Sequence, residues 1–174
     1  MKISLKIGSK LRKVEFIMKI SANKGNWSKF YVLVRLLADG KIYSADENLA
    51  QIENRCFSIL RIFRSENHSD KIVYQKNVQN DIEVYLNDAL IRRIKVSDLK
   101  TAAENLFDAI IKGTGTFEID GAEKIMENLC CTKINSDSNK KFDINMEIYD
   151  SLIKYRRIGN YKIKSEFKKS PIFF

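Results

Sequence analysis

Asp150, Glu166 and Lys168 are the residues of this chain whose types and spacing best suit a reaction. Two carboxylates brought to one sheet edge can hold a divalent cation, and a lysine two positions after the second can stabilise charge developing on a phosphate. Such an edge forms if 142–174 folds as a three-stranded meander. Phe142, Ile144, Met146 and Ile148 alternate with polar residues, Gly159-Asn160 supplies a turn, and Tyr161, Ile163, Ser165 and Phe167 alternate again. Asp150 then lies at the first turn, with Glu166 and Lys168 near the end of the third strand. The competing reading is a helix over 145–158, with Glu147 and Asp150 early, Arg156 and Arg157 late and Gly159 as its end.

The Asp … Glu-x-Lys order resembles that of metal-dependent restriction-type nucleases, a resemblance carried by these three residues. It implies a divalent ion and chemistry at a phosphate. The same acid-x-Lys spacing recurs at Asp39-Gly40-Lys41 and Asp98-Leu99-Lys100, so the spacing by itself selects no site. Other catalytic arrangements have less to stand on. His68 is the single histidine and falls in a polar loop, where a nucleophile would have to find it from elsewhere. Cys56, Cys130 and Cys131 fall in apolar helical patterns without the donor spacing of a zinc site, and adjacent cysteines pair poorly with each other. Gly113-Thr114-Gly115 has no phosphate-loop lysine after it. On residues alone, the expectation is a protein that binds rather than catalyses, with no cofactor and no metal.

Charge indicates what it would bind. The net charge is +9, and it is segregated: residues 1–41 carry ten Lys/Arg against two acids, 140–174 carry nine against four, and 97–139 carry four against eight. Basic ends around a neutral-to-acidic middle suit phosphate contacts, and interspersed aromatics such as Tyr85, Tyr155 and Tyr161 would add stacking. The candidate contact residues are Lys2, Lys6, Lys13 and Lys19 at the start, Arg93 and Lys95 in the middle, and Arg156, Arg157, Lys162 and Lys164 at the end. The expected partner is nucleic acid or a nucleoprotein complex. The first alternative is an inhibitor or accessory factor of a phage or mobile element that contacts a protein directly, and the second is the metal-dependent nuclease that the Asp … Glu-x-Lys resemblance implies.

The elements that must position these groups begin with the clearest unit, 82–113. Ile82, Val84 and Leu86 alternate, Asn87-Asp88 turns the chain, and a return strand runs from Leu90 to Val96. Arg92 shares a face with Leu90, Ile94 and Val96 and so needs a bulge or a partner. Ser97 is placed to cap a helix with Leu99, Ala102, Ala103, Leu106 and Ile110 inward, and Gly113 fits a left-handed end. An opening hairpin over 2–20, a strand over 27–37 reversed at Asp39-Gly40, and a helix after the capping-box spacing Ser44-Ala45-Asp46-Glu47 precede it, the last with Leu49, Ile52, Cys56, Ile59 and Phe63 as its stripe. A short strand over 71–76 leads into the central unit, and a strand over 114–119 and a helix over 122–131 follow it. Residues 135–141 read as a polar linker.

The resulting fold class is α+β, an antiparallel sheet built from hairpins with two main amphipathic helices and a C-terminal β-meander. A chain of 174 residues, 44% hydrophobic and 30% charged, suits one such domain, with 142–174 as a candidate basic subdomain. No stretch reaches the roughly 20 apolar residues of a membrane span, and the basic start lacks a continuous apolar centre, so a cytoplasmic protein without a membrane partner is expected.

Overall fold

The computed structural model describes residues 2–7, 10–15, 19–48, 50–66, 70–135 and 144–161, with the backbone alone over 2–7, 10–15 and 53–54. In chain order the elements are β1 (Lys2–Ile7), β2 (Lys10–Glu15), β3 (Ser21–Asn23), α1 (Lys24–Asp39), β4 (Lys41–Ala45), β5 (Gln51–Glu66), β6 (Asp70–Lys76), β7 (Asp81–Leu86), β8 (Ala89–Lys95), α2 (Val96–Lys112), β9 (Thr116–Glu118), α3 (Ala122–Asn128), β10 (Ile144–Asp150) and β11 (Tyr155–Tyr161). The main sheet runs β11-β10-β5-β6-β7-β8, every pair antiparallel, with β4 on the first half of β5. β1 with β2 and β3 with β9 form two further antiparallel pairs. The α+β class with a mainly antiparallel sheet is therefore as the sequence indicates.

The unit from Asp81 to Lys112 forms as its periodicity requires. Asn87 and Asp88 take positive φ, 50° and 66°, as a tight hairpin turn demands. Ile91 is an extra residue in β8, since Val84 pairs with Arg92 but Tyr85 with Leu90. The bulge turns Leu90 to one face and leaves Arg92 on the other, where its Nη1 donates to Asn128 Oδ1 at 2.7 Å. In α2, Val96, Leu99, Ala103, Leu106 and Ile110 are buried at helical spacing. Two details differ from expectation. Ser97 lies inside the helix and donates to Asp98 Oδ1 rather than capping it, and Gly113 has φ −68°. Phe117 explains that glycine, because an added Cβ would lie 2.3 Å from its ring.

Two segments take the opposite structure to the one expected. Residues 27–37 are helical, within α1, whose buried residues include Trp27, Phe30, Tyr31, Val32, Leu33, Val34, Leu36 and Leu37. A helix apolar on every side lacks the polar stripe that would reveal its period. Asn23 caps it by accepting from the Asn26 N–H at 2.9 Å, and Gly40 ends it at φ 64° instead of turning a hairpin. Conversely, 51–63 belong to β5. Leu60 is extra there, because Glu147 pairs with Arg61 while Ile148 pairs with Ile59. This bulge shifts the inward set from Phe57 and Ile59 to Ile62, Arg64 and Glu66, and a strand whose phase shifts produces spacings of three that mimic a helix. Asp46 does not start a helix. It accepts from the Asn48 and Ala50 N–H groups at 2.9 and 2.8 Å in the turn between β4 and β5.

Ile62, Ile72, Tyr74, Ile82, Val84, Met146 and Ile148 line one face of the sheet and merge with the buried faces of α1, α2 and α3 into one hydrophobic cluster. At the C-terminal end β10 and β11 form a hairpin, so the helix over 145–158 does not form. Gly159 pairs with Met146 and Asn160 with Asn145, which places both within β11 rather than in a turn. The third strand of the expected meander, the linker positions 136–141 and His68 lie outside the described residues. No described helix is long and apolar enough to cross a membrane.

Candidate nucleic-acid interface

Strand alternation sends every second residue of the main sheet to the face away from the helices. The register aligns these residues into rows. One row reads Ile158, Glu147, Arg61, Gln75, Glu83, Arg93 from β11 to β8, and the next reads Asn160, Asn145, Phe63, Val73, Tyr85, Leu90. Arg156 opposite Tyr149, and Lys71 opposite Ser65, extend the face along the strands. Its arginines are open to solvent, with side-chain exposures of 46% for Arg61, 61% for Arg93 and 62% for Arg156. Lys71 lies 6.0 Å from the centre of the Phe63 ring.

Two acids of this face, Glu147 and Glu83, sit beneath its arginines. Glu147 is 8% exposed, with Oε2 3.2 Å from Arg61 Nε and Oε1 3.4 Å from Arg156 Nε. Glu83 accepts from the Tyr85 hydroxyl at 2.7 Å and from Arg93 Nε at 3.0 Å. The tyrosine hydrogen bond first, and the arginine second, hold the Glu83 carboxyl below the usual range; the same bond raises the Tyr85 phenol. The Glu83 carboxylate is thus ionised and committed to its partners at neutral pH.

The opposite face contains a buried polar cluster. Arg64 donates from Nε to Glu66 Oε1 at 2.6 Å and from Nη2 to the Lys133 carbonyl at 2.6 Å, while the Thr132 hydroxyl donates to Glu66 Oε2. Tyr74 donates to the Leu129 carbonyl at 2.8 Å. Together these bonds fasten residues 129–134 to β5 and β6. Burial pushes the Cys131 thiol and the Tyr74 phenol up, and the Cys130 thiol to about 11, so both thiols are protonated at neutral pH and poor nucleophiles.

The residues proposed from sequence are dispersed. Lys2, Lys6 and Lys13 belong to β1 and β2, where only the backbone is described, and Lys162 and Lys164 lie outside the described residues. Lys19 is exposed and pairs with Glu118 at 3.4 Å. Arg93 and Lys95 share the arginine-bearing face with Arg156. Arg157 does not, because neighbouring strand residues point oppositely; its guanidinium lies 5.7 Å from the Phe57 ring centre on the other side. Asp150 ends β10 and accepts from the Leu152 N–H at 2.9 Å, whereas Glu166 and Lys168 lie outside the described residues. Among the described residues no three His, Cys, Asp or Glu side chains are placed to hold a metal ion. Sequence reasoning missed Arg61, Lys71, Glu83 and Glu147. The only signal for Arg61 was its alternation with Ile62, legible once β5 is known to be a strand.

Residues 23–174 match the HpaII restriction endonuclease family, and the chain belongs to that family. Among curated proteins, the type II restriction enzyme HpaII of Haemophilus parainfluenzae is 30% identical to it over 149 residues, which is 84% of this chain and 41% of that enzyme. The chain therefore spans about two-fifths of the length of this relative. No solved structure matches it. Membership of an endonuclease family overturns the expectation of a non-catalytic binding protein, and with it the inhibitor and mobile-element readings. It also lends no support to a nucleoprotein or direct protein partner.

Proposed function

We propose that this chain acts as part of a restriction endonuclease that binds and hydrolyses duplex DNA, and that the arginine-bearing sheet face carries the phosphate backbone. The observation behind the reading is the presence, in a chain of this family, of a sheet face that no described helix covers and that bears Arg61, Lys71, Arg93 and Arg156. Arg61 and Arg93 stand in the same row three strands apart, about 14 Å at the usual strand spacing, comparable with the roughly 12 Å width of a DNA major groove. Arginine forks match phosphate oxygens and neutralise them, which holds the duplex in register without reading its sequence.

Phosphodiester hydrolysis also needs an activated water and stabilisation of the charge that develops on phosphorus. The described acids do not form a metal site, and Glu83 and Glu147 are engaged by arginines. The face is accordingly assigned to binding and orientation, and no hydrolytic step is assigned to it. The test is incubation of the protein with genomic DNA and magnesium, read on a gel. Discrete fragments are the expected product. Intact DNA, together with no salt-dependent association with a duplex, would contradict the reading.

A further inference from the structure

Glu147 has more positive charge against it than its burial requires. One arginine would compensate a single carboxylate removed from water, yet Arg61 and Arg156 each take one of its oxygens, at 3.2 and 3.4 Å. The carboxylate lies low, at 8% exposure, and the guanidinium groups stand above it at 46% and 62%. Each arginine meets Glu147 through Nε, so the N–H groups on its Nη atoms remain for another acceptor. Neither has a second polar partner among the described residues. The three residues come from β5, β10 and β11, and the register alone brings them together.

We infer that Glu147 is a positioning residue that holds Arg61 and Arg156 as a paired clamp for the phosphates of duplex DNA. The inference rests on the DNA-binding reading of this face. A free arginine loses much rotamer freedom when it grips a phosphate, and a carboxylate fixed in the sheet imposes that loss before DNA arrives. The cluster retains a net charge of +1 to present to the ligand.

This role has an unusual sign. An acid on a DNA-binding face repels phosphate, so by charge alone Glu147→Gln would tighten binding. The clamp predicts the reverse, a loss of about tenfold in affinity for a generic duplex, the size of effect expected when preorganisation of a long side chain is removed. Arg156→Lys keeps the charge at an exposed position where folding is not at stake, and is expected to weaken binding several-fold with the salt slope unchanged. In the Arg61→Ala/Arg156→Ala background, the further change Glu147→Gln is expected to cause no weakening, because nothing remains to be positioned.

Affinities are measured by fluorescence anisotropy across a salt series, with circular dichroism confirming the fold of each variant. If Glu147→Gln binds as tightly as the parent or tighter while Arg61→Ala and Arg156→Ala bind more weakly, the clamp is wrong and the face reading survives. If Arg156→Lys retains parental affinity, the clamp is also wrong. Equal weakening by Glu147→Gln in both backgrounds overturns it too, because the residue then acts through the fold. If the two arginine-to-alanine variants bind as the parent does, the face reading itself fails and takes the inference with it.

Discussion

Buried and half-buried charges carry distinct energetic roles in this molecule. Arg64 and Glu66 are 7% and 2% exposed at the side chain and meet at 2.6 Å, so neither charge has water to fall back on. Removing one partner of such a pair commonly costs about 3–5 kcal/mol because the other is stranded. Glu66→Ala is expected to lose that much in urea denaturation, and a loss below about 1 kcal/mol would show that the Lys133 and Ile134 carbonyls suffice for Arg64. Glu83 behaves differently. Its folded carboxyl titrates below the ordinary value of 4.5, so the stabilisation it gives is fully present above that pH and is lost as pH falls through the folded value. Glu83→Gln should therefore flatten the acid limb of a stability-against-pH curve below about pH 4.5 and leave the limb near neutrality unchanged in slope. An unaltered acid limb would mean that the Tyr85 and Arg93 bonds contribute no such linkage.

At the scale of elements, the chain is legible where one face is polar and obscure where burial is complete or a bulge intervenes. α2 was readable because Leu99, Ala103, Leu106 and Ile110 are buried while Lys100, Glu104, Asn105 and Asp108 are exposed. Leu106→Ala is expected to cost about 2–5 kcal/mol and Asn105→Ala close to none. Small, equal losses at both positions in thermal denaturation would contradict the burial of this apolar stripe of α2. α1 hid its period by being apolar on almost every side, and β5 hid its own because Leu60 shifts the phase midway. The same bulge also conceals the face. On a helical period over 51–63, Arg61 is only a cation near a helix end. Glu147 was equally ambiguous, serving either a strand or the first turn of a helix, and no local pattern links it to Arg61 across 86 positions of sequence. The arginine pairs were legible as cations, but not the alternation that sends Arg156 and Arg93 to one face and Arg157 and Arg92 to the other.

At the scale of the whole molecule, the described helices cover one side of the main sheet, and on the other Arg61 and Arg156 pair with Glu147 and Arg93 pairs with Glu83. Segregated charge in the sequence pointed towards phosphate, but composition has no way to separate a protein that holds DNA from one that cuts it. Family membership corrects the class, and the proposed binding surface is the arginine-bearing face of the sheet. The central claim is that DNA lies on that face, which a matched pair of charge deletions tests most directly. Arg61→Ala, Lys71→Ala and Arg93→Ala remove three cations from the arginine-bearing face, whereas Lys100→Ala, Lys112→Ala and Lys124→Ala remove three from the helical layer. Both triple variants change net charge equally. Measured by anisotropy against salt on a generic duplex, the first should flatten the slope of log affinity by about 2 to 3, near 0.9 for each phosphate that is no longer neutralised, and the second by less than about 1. Equal slopes for the two variants, or a larger effect from the helical layer, would contradict the placement of DNA on the sheet.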